Sequence, residues 1–496
     1  MREPTVALLL PRPPGWVADT VFYQVFPDRF ARSGRVPAPG PLEDWDAPPD
    51  HWSTKGGDLF GLADRLGDLA ELGITGIYLN PIFSATSNHR YNASDFESVD
   101  PLLGGEVALR ELLDRAHERG IWVVLDGVFN HCGRGFGPFQ HLLENGLASP
   151  YRDWFYLDDD VLTGRRRIDA FPVDGHHGPP GYRSWWDHQA LPKLRVEHPP
   201  VREYLFGAAE RWLRFGIDGW RLDVPADVED PTFWPAFRER VRSVYPEAYL
   251  VGEIWHEAPD WLSGDRFDAL MNYPLGVAIL GFASAGRLDQ TAIDAQSDYR
   301  RALLPLDGLA FAARLEHLIG SLGPVVAEAQ YNLIGSHDTP RARRVLAGDV
   351  AALRLATLLL LTLPGAPSIY YGDELAMDGG PDPDCRRGYP TAPDEQALEM
   401  RTFVRAAIAA RRDHAALRRG GVRVVAAQGG AIALERAVGD QRAIVAINAA
   451  REPTRLVPTS PLPAGLTPVP LPSIANGALE RDGALNLPAQ GAVILA

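Results

Sequence analysis

Residues 217–223 read IDGWRLD, from Ile217 to Asp223, a short apolar run that closes on a carboxylate. It follows a helical stretch, Tyr204 through Trp212, that stops at Gly216. A helix, a glycine or proline break, a short apolar strand and a polar residue at its C-terminal end make one unit. Two copies lie upstream. Leu66, Leu69 and Leu72 lead to Gly73 and ITGIYL, ending at Asn80; Leu109, Leu112 and Leu113 lead to Gly120 and IWVVL, ending at Asp126. Two more lie downstream. Phe237, Val241 and Val244 precede Pro246 and AYLVG, ending at Glu253; Leu353 to Leu363 precede Pro364, Gly365 and APSIYYG, ending at Asp373.

Alternating helices and near-continuous apolar strands read as a parallel sheet covered on its faces, an α/β fold. A doubly wound sheet uses the same units but carries a Gly-rich phosphate loop, whereas ITGIYLNP runs on into IFSAT. Polar residues from several strand ends converge on one rim if the sheet closes. That favours a (β/α)8 TIM barrel, although the period alone leaves closure open. From Cys132 to about Lys193 the helical period gives way to Gly, Pro, Asp and aromatic residues, an insertion long enough to wall a site. After Asp413, alternating runs such as VRVVAA and AIVAIN predict a small antiparallel β domain. The expected division is 1–131 and 194–412 for the barrel, 132–193 for the inserted domain B, and 413–496 for the C-terminal domain.

The length of 496 residues suits such a barrel with additions. With 64 acidic against 49 basic residues and no basic run longer than Arg165 to Arg167, nucleic acid and anionic membranes are excluded as partners. The 12 Trp and 15 Tyr suit a neutral, polyhydroxylated partner, whose C–H faces pack on aromatic rings. The apolar stretch Val6 to Leu10 is shorter than a signal-peptide core and reads as a mature N-terminus. No stretch is long enough to span a bilayer. Two cysteines, Cys132 and Cys385, give no disulfide framework and point to a reducing, cytoplasmic location, with one bridge between them left open.

Arg221 and Asp223 stand two apart on a strand, so both side chains take the same face. The guanidinium is expected to hold the carboxylate ionised, as a nucleophile requires. Glu253 ends the next strand, and Trp255 on the same face is expected to act as an apolar neighbour that favours a protonated general acid. GSHDTPR adds Asp338 beside His337. Three carboxylates from separate strand ends fit cleavage of an acetal through an oxocarbenium-like transition state. They also suit a metal, but an arginine wedged among them argues against one. The run Asp158 to Asp160 lacks the spaced ligands of a calcium loop and reads as a solvated turn. A lone Asp at a strand end is more often a helix cap or loop end; the ordered set carries the functional reading.

Taken in order, these segments resemble the signature regions of the α-amylase family, glycoside hydrolase family 13. DGVFNH at Asp126 to His131, GWRLDV at Gly219 to Val224, EIWH at Glu253 to His256 and SHD at Ser336 to Asp338 carry the likeness. VFYQVFPDRF from Val21, GGDLFG from Gly56, IYLNPIF from Ile77, SNHRYNASDF from Ser87 and MNYPL from Met271 extend it. The resemblance implies Asp223 as nucleophile, Glu253 as acid/base and Asp338 as transition-state stabiliser. Arg221 would hold Asp223, His131 and His337 would contact the sugar, and Tyr91 would stack on it. Asp126 and Trp255 complete the substrate-binding set, with Asn130 in support. Trp185 and Trp186 fit either a sugar cleft or the filling of domain B.

Within the family, EIWH, MNYPL and SHDTPR are most similar to the neopullulanase, cyclomaltodextrinase and maltogenic amylase group. This implies retaining hydrolysis of α-1,4 bonds, with α-1,6 bonds as a second target, in maltooligosaccharides, cyclodextrins or related α-glucans. A 4-α-glucanotransferase is the enzymatic alternative, and a noncatalytic carbohydrate-binding protein the alternative from another class. The chain departs from the group at Arg195, where MPKLN has Asn, and at Pro225 to Asp227 after the nucleophile. With VFYQ starting at Val21 there is no room for the group's N-terminal β domain, so a monomer or weak dimer is expected. Asn130 matches a calcium ligand of many amylases, but the group resembled commonly lacks that site. No cofactor and no metal are expected, with structural calcium as the alternative.

Overall fold

The structure is a computed structural model and describes residues 12–38, 40–171 and 179–496. The stretch Val6 to Leu10, which carries the expectation of a mature N-terminus, lies outside the described residues. Eight strands build the central sheet: β1 (Phe22–Val25), β2 (Gly76–Leu79), β3 (Trp122–Gly127), β4 (Gly219–Leu222), β5 (Tyr249–Gly252), β6 (Ala269–Leu270), β7 (Tyr331–Asn332) and β8 (Ala366–Tyr370). Their order is β6-β5-β4-β3-β2-β1-β8-β7, every pair parallel. Met271 pairs in parallel with Tyr331, and the Asn272 N–H donates to the Tyr331 carbonyl at 2.8 Å, so the two ends of the sheet meet. The barrel is closed, which removes its edges and rules out the doubly wound alternative.

Period-two alternation fills the barrel. Phe22, Tyr78, Val124, Tyr249, Val251, Met271 and Tyr331 pack as one inner cluster. Trp16 lies against Phe22 and Tyr249 at the N-terminal end of the strands. Gly219 is required where β4 meets β5, because a Cβ there would stand 2.3 Å from the Tyr249 carbonyl oxygen.

The covering helices include α1 (Gly105–His117), α2 (Pro199–Phe215), α3 (Phe233–Val244), α4 (Tyr273–Ala283), α5 (Gly308–Gly320), α6 (Val350–Thr362) and α7 (Glu395–Asp413). Helix α2 ends because Gly216 turns left-handed, φ 113°, and its N–H caps the Leu213 and Trp212 carbonyls. Helix α6 is apolar almost all round and correspondingly buried, packed against α4 and α7.

Between β3 and α2 the chain forms short helices and isolated bridges. His131 pairs with Lys193, Phe155 with Leu194 and Ser184 with Pro192. Phe139, Phe155 and Tyr182 pack edge to face as its core. Asp158 and Asp160 pair with Arg166 and Arg165. After α7, Gly421–Gln428, Ala431–Val438, Gln441–Asn448 and Gly491–Leu495 form an antiparallel sheet.

Two fully buried arginines lie under this sheet, and one of them, Arg436, ties it to the barrel. Arg411 donates to the carbonyls of Ala18, Leu361, Leu363, Gly365 and Leu417. Arg436 donates to those of Thr362, Leu417, Gly420 and Gly421. Cys132 and Cys385 are both free and buried, so no disulfide joins them. Among the described residues no helix is long and apolar enough to cross a membrane.

Candidate active site

The site grows from the C-terminal ends of β3, β4, β5 and β7. Asp126 of β3 and Arg221 of β4 are register partners, and both point inward. Arg221 is buried and sits among three carboxylates. Its Nη1 donates to Asp126 Oδ1 at 2.9 Å and to Asp223 Oδ1 at 2.8 Å, while Nη2 stands 2.9 Å from Glu253 Oε2. Asp126 also accepts from the Tyr78 hydroxyl at 2.6 Å and the Tyr91 hydroxyl at 2.8 Å. With both oxygens hydrogen-bonded in this way, the Asp126 side chain is fixed in orientation.

Glu253 Oε2 accepts the Val224 N–H at 2.9 Å, and Oε1 accepts the Trp255 indole N–H at 3.1 Å. Val224 reaches this position in the left-handed region, φ 35°, rare for a β-branched residue and worth about 1–3 kcal/mol of local strain. The strained residue directly follows Asp223 and directly precedes Pro225. Trp255 lies flat on Tyr273, ring centroids 3.7 Å apart. The indole is thus a hydrogen-bond donor to Glu253, where the sequence had suggested an apolar neighbour.

Burial pushes the carboxyls of both Asp223 and Glu253 upward, against the opposing pull of Arg221. One guanidinium divided among three carboxylates does not by itself keep Asp223 ionised, a correction to the sequence reading. Burial therefore favours the protonated form of each of these two carboxyls. Asp338 differs. Burial would raise it, but His337 and Arg386 outweigh burial and hold it well below the usual carboxylate range.

Asp338 lies 2.9 Å from His337 Nε2 and 3.2 Å from Arg386 Nη2. His337 Nδ1 meets the Gln24 amide nitrogen at 2.9 Å, so Nδ1 accepts and the proton sits on Nε2, facing Asp338 and the Tyr91 hydroxyl at 2.7 Å. Tyr91 and His337 stack at 5.3 Å with ring planes 6° apart, and Asn80 donates to the Tyr91 hydroxyl at 3.0 Å. His131 is buried, its imidazole pushed down to about 3 by burial, and stacks at 5.2 Å on Trp185. Trp185 is anchored by its indole N–H on Asp227 Oδ2 at 2.7 Å, and Trp186, 69% exposed, stacks on Trp185.

Of the residues named from the sequence, Tyr91, Asp126, Arg221, Asp223, Glu253, Trp255, His337 and Asp338 join one contact network, which His131 borders at the Tyr91 backbone. Sequence reasoning missed Tyr78, Gln24, Tyr273 and Arg386. Tyr78 was within reach, since it lies two residues before Asn80 on β2 and shares its face. Arg386 comes from an irregular segment after β8 and gives no periodic signal.

The Asn130 side-chain oxygen is buried without a hydrogen-bond partner. Yet the Lys193 ammonium is drawn to Glu229 at 3.0 Å on the strand paired with His131, and among the described residues no three or more His, Cys, Asp or Glu gather as metal ligands.

Residues 24–420 match the alpha amylase catalytic domain. The chain is 45% identical over 416 residues to a cyclomaltodextrinase of Geobacillus thermopakistaniensis, covering 84% of this chain and 66% of that protein. It is 40% identical to neopullulanase 2 of Thermoactinomyces vulgaris, covering 88% and 70%. The chain therefore spans about two thirds of the length of these relatives. The crystal structure of a debranching enzyme from Nostoc punctiforme superposes with a TM-score of 0.85 at 39% identity, covering 98% of this chain and 99% of that one. A closed parallel barrel, an arginine held among three strand-end carboxylates, and a match over most of the chain agree: this chain belongs to the α-amylase family.

Proposed function

We propose that the chain is a retaining glycoside hydrolase that cleaves α-1,4 bonds, and α-1,6 bonds as a second target, in maltooligosaccharides, cyclodextrins or related α-glucans. The observation that carries this reading is Arg221 shared by Asp223 and Glu253, at 2.8 and 2.9 Å. Two carboxylates on one guanidinium are held close, which suits direct attack at the ~5 Å spacing of retaining enzymes better than the ~6.5–9.5 Å that admits a water. The names of the relatives, cyclomaltodextrinase and neopullulanase, support the substrate class.

In this reading the proton rests on Glu253, because Asp223 has the direct Arg221 hydrogen bond. Asp223 attacks the anomeric carbon while Glu253 protonates the departing oxygen, and Glu253 then draws the proton from water as the covalent ester is released. Asp338, held ionised, accepts sugar hydroxyls and stabilises positive charge developing on the ring. Tyr91 offers its face to that ring, with His131, His337 and Asp126 around it and Trp255 on the leaving-group side. No metal takes part.

Substitution Asp223→Asn is expected to lower kcat on maltotriose by on the order of 10⁴-fold with an unchanged melting midpoint. Retention of a few per cent of activity refutes the nucleophile. Proton NMR of the first product gives the α anomer for retention. Early appearance of oligomers longer than maltotriose assigns the chain to 4-α-glucanotransfer instead. The two buried free thiols support a reducing, cytoplasmic location. We further propose a monomer, which a concentration-independent mass of two chains in light scattering refutes.

A further inference from the structure

A cavity of about 310 Å³ opens between the loop after β8, the start of α7 and the turn that carries Trp45. Its floor is apolar, built by Leu375, Ala376 and Met377. Trp45 forms one wall and is fixed in place. Its indole N–H donates to the Tyr389 carbonyl at 2.8 Å, and the Arg32 guanidinium lies 4.9 Å from the ring centre. Gly388 runs against the indole, where a Cβ would stand 2.4 Å from the Trp45 carbonyl oxygen and 3.0 Å from Nε1. Arg387 lines the cavity while its neighbour Arg386 reaches Asp338, so one stretch of chain borders both the cavity and the active site.

Most charges around the cavity are already answered. Arg387 pairs with Asp384 through two bonds, at 2.7 and 2.8 Å, Asp378 pairs with Arg344, and Asp394 caps α7 by accepting the Ala397 N–H at 2.8 Å. Two groups are left over. Arg343 donates only to neutral acceptors, the Ala376 carbonyl at 2.8 Å and the Gln396 side-chain oxygen at 3.4 Å. Among the described residues the Asp46 carboxylate takes part in no hydrogen bond or ion pair. An anion would meet Asp46, Asp378 and Asp394; a cation would meet Arg343 and Arg387. A wholly apolar body would strip water from Arg343 and Asp46 without replacing its hydrogen bonds. A neutral ring bearing hydroxyls suits every surface: hydroxyls accept from Arg343 and donate to Asp46, and a C–H face packs on the indole and the floor. The volume lies at the small end of small-molecule sites.

We propose that this cavity is a second, noncatalytic binding site for α-glucan, an inference that rests on the α-glucan reading above. It holds one stretch of a long or branched chain and so raises the local concentration of the rest of that chain at Asp223 and Glu253. A short oligosaccharide cannot occupy both places at once and gains nothing from the cavity.

The test compares soluble starch with maltotriose for the parent and for two variants at exposed lining positions, Ala392→Trp, which fills the cavity, and Asp46→Ala, which removes its free acceptor. Both variants are expected to raise the KM for starch about fivefold or more while keeping kcat/KM on maltotriose within about twofold. A starch KM that stays at the parent value in either variant overturns the assignment. Equal losses on starch and maltotriose overturn it too, because they place the effect in the catalytic site. Binding is read apart from turnover in native gels containing glycogen, with each substitution added to Asp223→Asn protein. Glycogen is expected to retard the Asp223→Asn protein and to retard each double variant less; undiminished retardation brings down the cavity alone. Starch and maltotriose both left uncut by the parent bring down the glycosidase reading, and the gels then decide the cavity by themselves.

Discussion

At the scale of single residues, the decisive quantity is how one positive charge is divided. Arg221 faces Asp126, Asp223 and Glu253, and burial adds to the pressure for a proton to stay on the last two. Glu253 is raised by burial, so the protonated form needed to expel an alcohol persists to higher pH than for a free carboxyl, and activity falls as the pH rises past that point. The Trp255 indole N–H works the other way, since a hydrogen bond donated to Oε1 favours the carboxylate. Substitution Trp255→Phe removes it, so the alkaline limb of the kcat profile is expected to move up by about 0.5–1 pH unit. A downward or absent shift, read from a full pH–rate profile, excludes this role. Asp338, held low by His337 and Arg386, stays ionised across the same range and adds no limb there.

At the scale of elements, the turn after β4 carries the cost. Val224 adopts φ 35° so that its N–H reaches Glu253, and Pro225 follows at once. Glycine takes that conformation freely, so Val224→Gly is expected to keep or raise the melting midpoint in calorimetry while lowering kcat about tenfold, because the donor is no longer held in place. A fall in both would show that valine is there for packing alone.

Much of this element-level layout was legible. Period two on IDGWRL put Arg221 and Asp223 on one face, and strand-end acids at Asp126 and Glu253 marked the rim. What stayed hidden has physical reasons. Strands β6 and β7 are two residues each, too short to show a period, and their pairing depends on the curvature of the whole sheet. Arg386 acts on Asp338 across 48 residues that include α6 and β8, a contact set by tertiary packing. The division of charge among Asp126, Asp223 and Glu253 depends on distances that no spacing reveals.

At the scale of the molecule, Arg436 joins the C-terminal sheet to the end of α6, and Arg411 gathers the chain at the foot of the barrel. Arg411 alone satisfies five main-chain carbonyls drawn from β8's approach, α6's end, the N-terminal segment and the turn after α7. Substitution Arg411→Met strands those acceptors, so denaturant unfolding is expected to show a loss of about 3 kcal/mol or more. A loss below about 1 kcal/mol would mean that water replaces the arginine without penalty.

The seam between β6 and β7 closes the cylinder with Met271 against Tyr331 and the neighbouring bond from Asn272. A hoop fastened by so short a clasp opens there first, as a local fluctuation far below global unfolding. In deuterium exchange, the backbone amides of residues 269–272 are expected to label sooner than those of β3 and β4; equal protection would mean the clasp is as firm as the staves. Opening at that seam would move Tyr273 relative to the Asp126, Arg221 and Asp223 side, which three adjoining strands hold in register.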